Sequence, residues 1–435
     1  PVSRMWRKHR LKKQYQKRAR EAAKTGAASA AKKTAAATEK AGAKIAGFVK
    51  RHPVGVLLAL ACVLLLFMMQ SCSSSLVTIG NAGAGAVGAT TYPSQDEEML
   101  AAEAAYDCRA LLADLFSAPG PENVVFTMNA THALNIAIFS LVKRGDRVVV
   151  SGWEHNAVTR QLHLIAADID VAASPLFNTE AAAAAFREKI PGAKAVVCTH
   201  VSNVFGFVLP IYEIAALCRE EGVPLIVDAS QSAGLMEVDM ARLGAEFVCM
   251  PGHKGLLGPQ GTGVLLCREN GRPLMAGGTG SESRNQAMPE FLPDRLEAGT
   301  HNIPGIAGLM AGAEYVRSHG AANIGAHERA LMRRMARQLE NVPGLEVFEA
   351  ADDAAQAGVL SVRHERIGSE ELGAELGRRG VCVRAGLHCA PLAHETAGTL
   401  ETGTVRLSFS PFNTPKEIDA AAQQLKAAVK SLSDA

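Results

Sequence analysis

Apolar positions follow two different textures along the chain. From about Ala101 onward, amphipathic helical patterns (AAEAAYDCRALLADLF, HALNIAIFSLV, PIYEIAALCREEG) alternate with short apolar runs (NVVFT, RVVVS, AKAVVCTH, PLIVDAS, AEFVCM). Strand-like runs separated by helices predict βαβ units and an α/β fold with a mainly parallel sheet. Past about residue 310 the order becomes helix, strand, helix, strand, which predicts a smaller C-terminal α+β domain. Upstream of Ala101 the texture is different. Residues 54–69, VGVLLALACVLLLFMM, carry no charge. With their flanks they predict a single transmembrane helix over 53–70, slightly short of the roughly 20 residues a span needs. The expected organisation is a basic arm at 1–52, the span at 53–70, and a Ser/Gly-rich linker at 71–100. A large domain comes next at 101–310 and a small one at 311–435.

Charge reinforces that division. The net charge of the whole chain is +2, but residues 1–52 hold 16 Lys/Arg and two acids, whereas the rest hold 29 basic and 41 acidic residues. A basic arm next to an apolar run stays cytoplasmic by the positive-inside rule. That places the N-terminus inside and sends the residues beyond the span outward, although the body has the composition of a cytoplasmic enzyme. The arm would touch anionic lipid or nucleic acid through charge alone, so no specific nucleic-acid role is expected. The chain opens on Pro1, which reads as a fragment or a processed product.

At 435 residues, 48% hydrophobic and 20% charged, the chain is neither disordered nor collagen-like. Nine cysteines without a CxxC pair exclude a disulfide framework and a zinc ribbon, and most are expected as small buried hydrophobes. Gly83-Ala84-Gly85-Ala86-Val87-Gly88 matches GxGxxG, but the ATTYPSQ after it cannot open the helix that a dinucleotide site requires. His388, Cys389 and His394 lack a fourth ligand, so no metal is expected.

In parallel α/β sheets ligands bind at the carboxyl ends of strands, so the polar residues directly after each apolar run matter most. Lys254 follows AEFVCM within Pro251-Gly-His-Lys-Gly255, amid glycines. A desolvated lysine has a lowered pKa and becomes nucleophilic, which suits imine formation with an aldehyde cofactor. Asp228 ends PLIVD, where a buried carboxylate would pair with a protonated pyridine nitrogen. Gln231 and Asn203 would hold the ring hydroxyl from either side. His155 would stack on the ring face. Ala130 and Thr131 open the helix after NVVF, a site suited to phosphate. Each alone reads as a cap or turn; together, in this order, they point to pyridoxal 5'-phosphate.

Residues from about 101 to 435 resemble class V aminotransferase-fold enzymes, in particular Suf-type cysteine desulfurases and selenocysteine lyases. The matching stretches are NATHALN, EHNAV, THVSNVFG, VDASQSAG, GHKGLLGPQGTG, LEAGTHNIPG, RAGLHCA and VRLSFSPFNT. The resemblance implies a fold type I pyridoxal-phosphate enzyme with Lys254 bonded to the cofactor, His155 on the ring, Asp228 at the ring nitrogen, and Gln231 and Asn203 at the ring hydroxyl. It puts Ala130, Thr131 and His253 at the phosphate. It implies a homodimer in which Gly299 and Thr300 reach the neighbour's phosphate. Arg406 would clamp the substrate carboxylate with Asn203 and Arg384 nearby. Cys389 would take sulfur from L-cysteine, or selenium from selenocysteine, leaving alanine and passing the sulfur to an acceptor protein. Arg384 and His388 are expected to favour its thiolate.

Two departures stand out. Pro251 occupies a position where relatives carry a Ser or Thr that donates to the phosphate, and Pro has neither hydroxyl nor N–H. The family's usual opening segment is missing before Ala101. In its place stands a leader (PVSRMW, RHPVGVLLAL, TYPSQDEEMLAAEAAY) similar to the membrane-anchor region of conjugative-transposon proteins. A catalytically inactive, membrane-tethered fusion is therefore the non-enzymatic alternative, and another class V aminotransferase the enzymatic one.

Overall fold

The computed structural model describes residues 95–434. The basic arm, the apolar run at 54–69, the GxGxxG match and nearly all of the linker lie outside the described residues. Among the described residues no helix is long and apolar enough to cross a membrane.

The first helix, α1 (Gln95–Leu115), begins inside the expected linker. A 3₁₀ turn leads into β1 (Val124–Thr127), and then strands and helices alternate: α2 (Ala130–Leu141), β2 (Arg147–Ser151), α3 (Asn156–Leu164), β3 (Asp168–Ala172), α4 (Thr179–Lys189), β4 (Ala195–Thr199), α5 (Ile211–Glu220), β5 (Leu225–Asp228), α6 (Met240–Leu243), β6 (Phe247–Pro251) and β7 (Gly263–Cys267). The seven strands form one sheet in the order β1-β7-β6-β5-β4-β2-β3. The pairs β2–β3, β2–β4, β4–β5 and β5–β6 are parallel, and β7 runs against both β1 and β6. The parallel expectation holds except at β7.

The apolar strands are buried on both faces, and a two-residue period sorts their side chains. Val148, Val150, Val197 and Ile226 pack beneath α2 and α3 with Leu134, Ile138 and Leu162. Val149, Val196, Cys198 and Val227 face the other way, onto Leu112, Phe116, Phe186 and Ile214. Strands covered on both sides need unbroken apolar runs, which is why these segments show no polar alternation.

The helix α7 (Ile303–His319) carries the chain across residue 310, packing Ile306, Leu309 and Ala313 against the large sheet. Beyond it come α8 (Ala321–Leu339), β8 (Leu345–Phe348), β9 (Val359–His364), α9 (Ser369–Arg378), β10 (Arg384–Gly386), α10 (Pro391–Thr396), β11 (Thr404–Ser408) and α11 (Pro415–Ser433). Their four strands make an antiparallel sheet in the order β10-β11-β9-β8. Leu360, Val362, Val405 and Leu407 of this sheet pack on Met332, Leu372 and Leu425 of the helices. This is the expected small α+β unit.

A buried ion pair ties α1 to the segment before α7. Arg109 donates Nη1 and Nη2 to the two carboxylate oxygens of Glu297, at 2.7 and 2.6 Å. Glu297 also accepts from Phe126 N–H at 2.6 Å and lies 2.8 Å from His301 Nε2. Burial pushes its carboxyl up, but the bonds from His301 and Arg109 prevail and hold it below the ordinary range.

Candidate active site

Five strand ends place their polar residues in one cleft. It is lined by Ala130 and Thr131 after β1, His155 after β2, Asn203 after β4, Asp228 and Gln231 after β5, and His253 and Lys254 after β6. All eight cofactor residues read from those strand ends are therefore together. Parallel strands point their carboxyl ends the same way, so residues far apart in sequence converge without local coding.

Several of these groups have an identifiable support. Asn129 caps α2 by accepting from His132 N–H at 2.9 Å, which leaves the free first-turn N–H groups of that helix at the cleft wall. The His155 ring caps α3: its Nδ1 accepts from Ala157 N–H at 3.0 Å, so the neutral ring carries its proton on Nε2. Burial holds His155 below the ordinary histidine range. Asp228 is 2% exposed and accepts from Ser230 N–H at 2.9 Å. Burial pushes the Lys254 ammonium down, Asp228 pushes it up, and Arg406 and Arg384 push it down further; the outcome lies below the ordinary lysine value.

The Lys254 loop is packed backbone to backbone. A Cβ on Gly234 would stand 2.2 Å from Gly255 O, and a Cβ on Gly255 would stand 2.3 Å from Ala233 O. Gly234 also has φ +84°. Gly234→Ala should therefore cost at least about 1–3 kcal/mol by overpacking and displace the Lys254 loop. A variant with wild-type stability and cofactor affinity, measured by denaturation and by titration, would show that the loop yields freely.

Glu154, next to His155, was not singled out from sequence. It is fully buried; Oε1 accepts from Ser151 Oγ at 2.5 Å and Thr199 N–H at 2.7 Å, and Oε2 has no partner. Burial pushes its carboxyl up to about 8, against the bonds from Ser151 and Thr199. The native state then binds more protons than the unfolded chain between about 4.5 and 8. The contribution is full below that window and is lost as pH rises through it. Denaturation midpoints should decline across this range, and Glu154→Gln, which cannot ionise, should flatten the decline. The same slope in both proteins would assign the effect to other groups.

The small sheet adds a second set of groups. Arg384 and Arg406 stand directly opposite each other in the β10–β11 register. Like charges in cross-strand positions are destabilising, and an anion bound between them would relieve that repulsion. Arg406 Nη1 donates to Asn203 O at 2.9 Å, and its Nε is buried without a partner. Arg384 Nη2 donates to Cys389 Sγ at 3.5 Å. Asn203, 8% exposed, donates Nδ2 to His388 O at 2.8 Å, which leaves its Oδ1 an orphan acceptor in the cleft wall.

One expectation needs correction. His388 does not supply positive charge to Cys389: burial and the neighbouring Arg406 push it down to about 3, and its Nε2 faces Thr404 O and Oγ1 at 3.1 and 3.0 Å. Gly299 and Thr300, expected to serve a neighbouring copy's phosphate, are not among the residues that line the Lys254 cleft of this chain. Both are exposed, and Thr300 lines a separate cleft with Met128, His132 and His301. Of the cysteines among the described residues, Cys108, Cys198, Cys218, Cys249 and Cys267 are buried, and Cys382 and Cys389 are exposed.

Sequence reading also passed over Asn129, Thr199 and Ser230, which line the cleft. Each adjoins a singled-out strand end, so proximity was the available signal.

The groups fit pyridoxal phosphate. The cleft offers a buried carboxylate for a ring N–H, an orphan amide oxygen for a ring hydroxyl, an amine of lowered pKa, and helix N–H groups for a phosphate.

Comparison with known proteins agrees. The Aminotransferase class-V family profile matches residues 85–421. A probable cysteine desulfurase of Pyrococcus abyssi is 32% identical over 347 residues, covering 75% of this chain and 83% of that protein. One of Xylella fastidiosa is 34% identical over 333 residues, covering 73% and 79%. Among solved structures, the apo cysteine desulfurase of Thermococcus onnurineus superposes with a TM-score of 0.70 at 30% identity, covering 77% of this chain and 85% of that one. A cysteine desulfurase of Escherichia coli gives 0.69 at 25% identity, covering 78% and 87%.

Proposed function

The chain belongs to the class V aminotransferase family, among its cysteine desulfurases, and from that premise we propose that it converts L-cysteine to L-alanine with Cys389 as the sulfur acceptor. The family uses pyridoxal phosphate, which when bound supplies an electron sink for negative charge at the substrate's Cα. The observation that carries the assignment is the bond from Asn203, a wall of the cofactor cleft, to the loop bearing Cys389. It ties the thiol loop to the cleft wall, and Arg384 on the same sheet edge donates to the thiol.

The protein's own groups divide the work. Lys254 holds the cofactor and, with its lowered pKa, takes and returns protons at Nζ. Asp228 would pair with the ring nitrogen, and His155 would lie on the ring face. Asn203 and Gln231 would hold the ring hydroxyl, and Ala130, Thr131 and His253 would bind the phosphate. Pro251 lines the same cleft without a donor, so the N-terminus of α2 would take a larger share of the phosphate. Arg406 binds the substrate carboxylate through its unpartnered edge, and Arg384 favours the thiolate of Cys389.

The thiolate of Cys389 attacks the substrate sulfur. The carbon–sulfur bond breaks, its electron pair stays on the amino-acid carbon, and a proton there gives alanine, while Cys389 keeps the sulfur as a persulfide. Gly299 and Thr300, exposed away from the cleft, suit a reach toward the phosphate of a second copy, in keeping with a homodimer.

The test is stoichiometric. With L-cysteine and a thiol reductant, the full chain should release alanine and sulfide in equal amounts. A keto acid in place of sulfide would make it a transaminase, and no turnover by a cofactor-loaded protein would favour the inactive fusion.

A further inference from the structure

His388 and Cys389 both occupy the left-handed backbone region, at φ 51° and 58°. Neither is glycine, so groups outside the loop must hold this shape. One is Asn203, through His388 O. Another is a main-chain bond: Asn156 N–H donates to Cys389 O at 2.8 Å. Asn156 is the first residue of α3, immediately after the His155 cap. A first-turn N–H has no acceptor within its own helix, and here that free donor is used on the thiol loop.

We propose that Asn156 is a positioning residue whose backbone N–H latches the Cys389 carbonyl to the start of α3, so that the element carrying His155 also sets the direction of the thiol. The Asn156 side chain has no part in this; its Oδ1 makes a marginal contact at 3.5 Å with Thr159 Oγ1. The catalytic consequence rests on the reading of Cys389 as sulfur acceptor, whereas the latch itself does not.

Main chain and side chain can be separated by substitution. Proline is well tolerated at the first position of a helix. His155, at φ −78° and ψ 154°, already has the extended conformation required before a proline. Asn156→Pro therefore removes the donor, and Asn156→Ala keeps it.

Amide hydrogen exchange on the cofactor-loaded full chain reads the latch without any variant. The Asn156 amide should exchange at least about tenfold more slowly than that of Thr179, the first residue of α4. Equal rates would overturn the proposal. In Asn156→Pro, amides of residues 387–392 should exchange about tenfold faster. The kcat for sulfide release should fall about 10–100-fold at unchanged KM and cofactor absorbance, as expected for a misplaced reacting group. Asn156→Ala should match wild type in all of these. Equal losses in both variants would assign the effect to the side chain, and a Pro variant like wild type would remove the latch; either result overturns the proposal. If Cys389→Ala keeps full sulfide release, the functional reading fails while the exchange data still decide whether the latch exists.

Discussion

Lys254→Ala should abolish the near-visible absorbance of the cofactor-loaded protein and lower sulfide release from L-cysteine by at least about 10⁴-fold. On the proposed assignment two roles end together: the amine that bonds the cofactor and the group that moves protons at the substrate carbon. The lowered pKa of Lys254 comes first from burial, with Arg406 and Arg384 adding to it and Asp228 opposing it. Lys254→Arg should not restore activity, because a guanidinium stays protonated and cannot serve as nucleophile or base. Absorbance spectra before and after cofactor addition, with sulfide measured in parallel, test this. A Lys254→Ala protein that keeps the wild-type band would overturn the assignment of the cleft.

Cys389→Ala should separate binding from chemistry. Cofactor absorbance and its perturbation by L-cysteine should survive, while sulfide release falls on the order of 10³-fold or more. The reason is geometric: Cys389 is exposed on the loop bonded to Asn203 and Asn156, and its Sγ lies against Arg384. Cys382, the other exposed cysteine among the described residues, is the control. Cys382→Ser should leave turnover within about twofold, as surface substitutions away from a site usually do. Full sulfide release by Cys389→Ala would exclude the thiol relay and leave a lyase that works without an enzyme-bound sulfur.

The strand ends were readable because their chemistry is local. Asp228 closes an apolar run, Lys254 stands shortly after another, and a parallel sheet brings such ends together whatever their separation in the chain. Two strands escaped the reading. β7 is a five-residue apolar run flanked by glycine-rich sequence, with nothing to show that it enters antiparallel between β1 and β6. β3, DIDVA, sits at the sheet edge and is only partly buried, so its polar residues conceal it. Glu154 was missed for a different reason. A glutamate beside a histidine reads as solvated, and only the packing of Ser151 and Thr199 around it makes it a fully buried carboxyl.

His388 shows the same limit from the other side. Beside Cys389 in sequence, it suggested a cation for the thiolate; folded, it is 4% exposed, turned to Thr404, and neutral. Residue types, their order and their place after apolar runs determined the fold class and the residues of the cleft, and the family resemblance singled out Cys389. Tertiary structure alone decided the charge state of His388 and Glu154, the exposure of Gly299 and Thr300, and the main-chain bond from Asn156 to Cys389. These depend on desolvation and on partners brought from other elements. A linear chain specifies such contacts only through the fold as a whole.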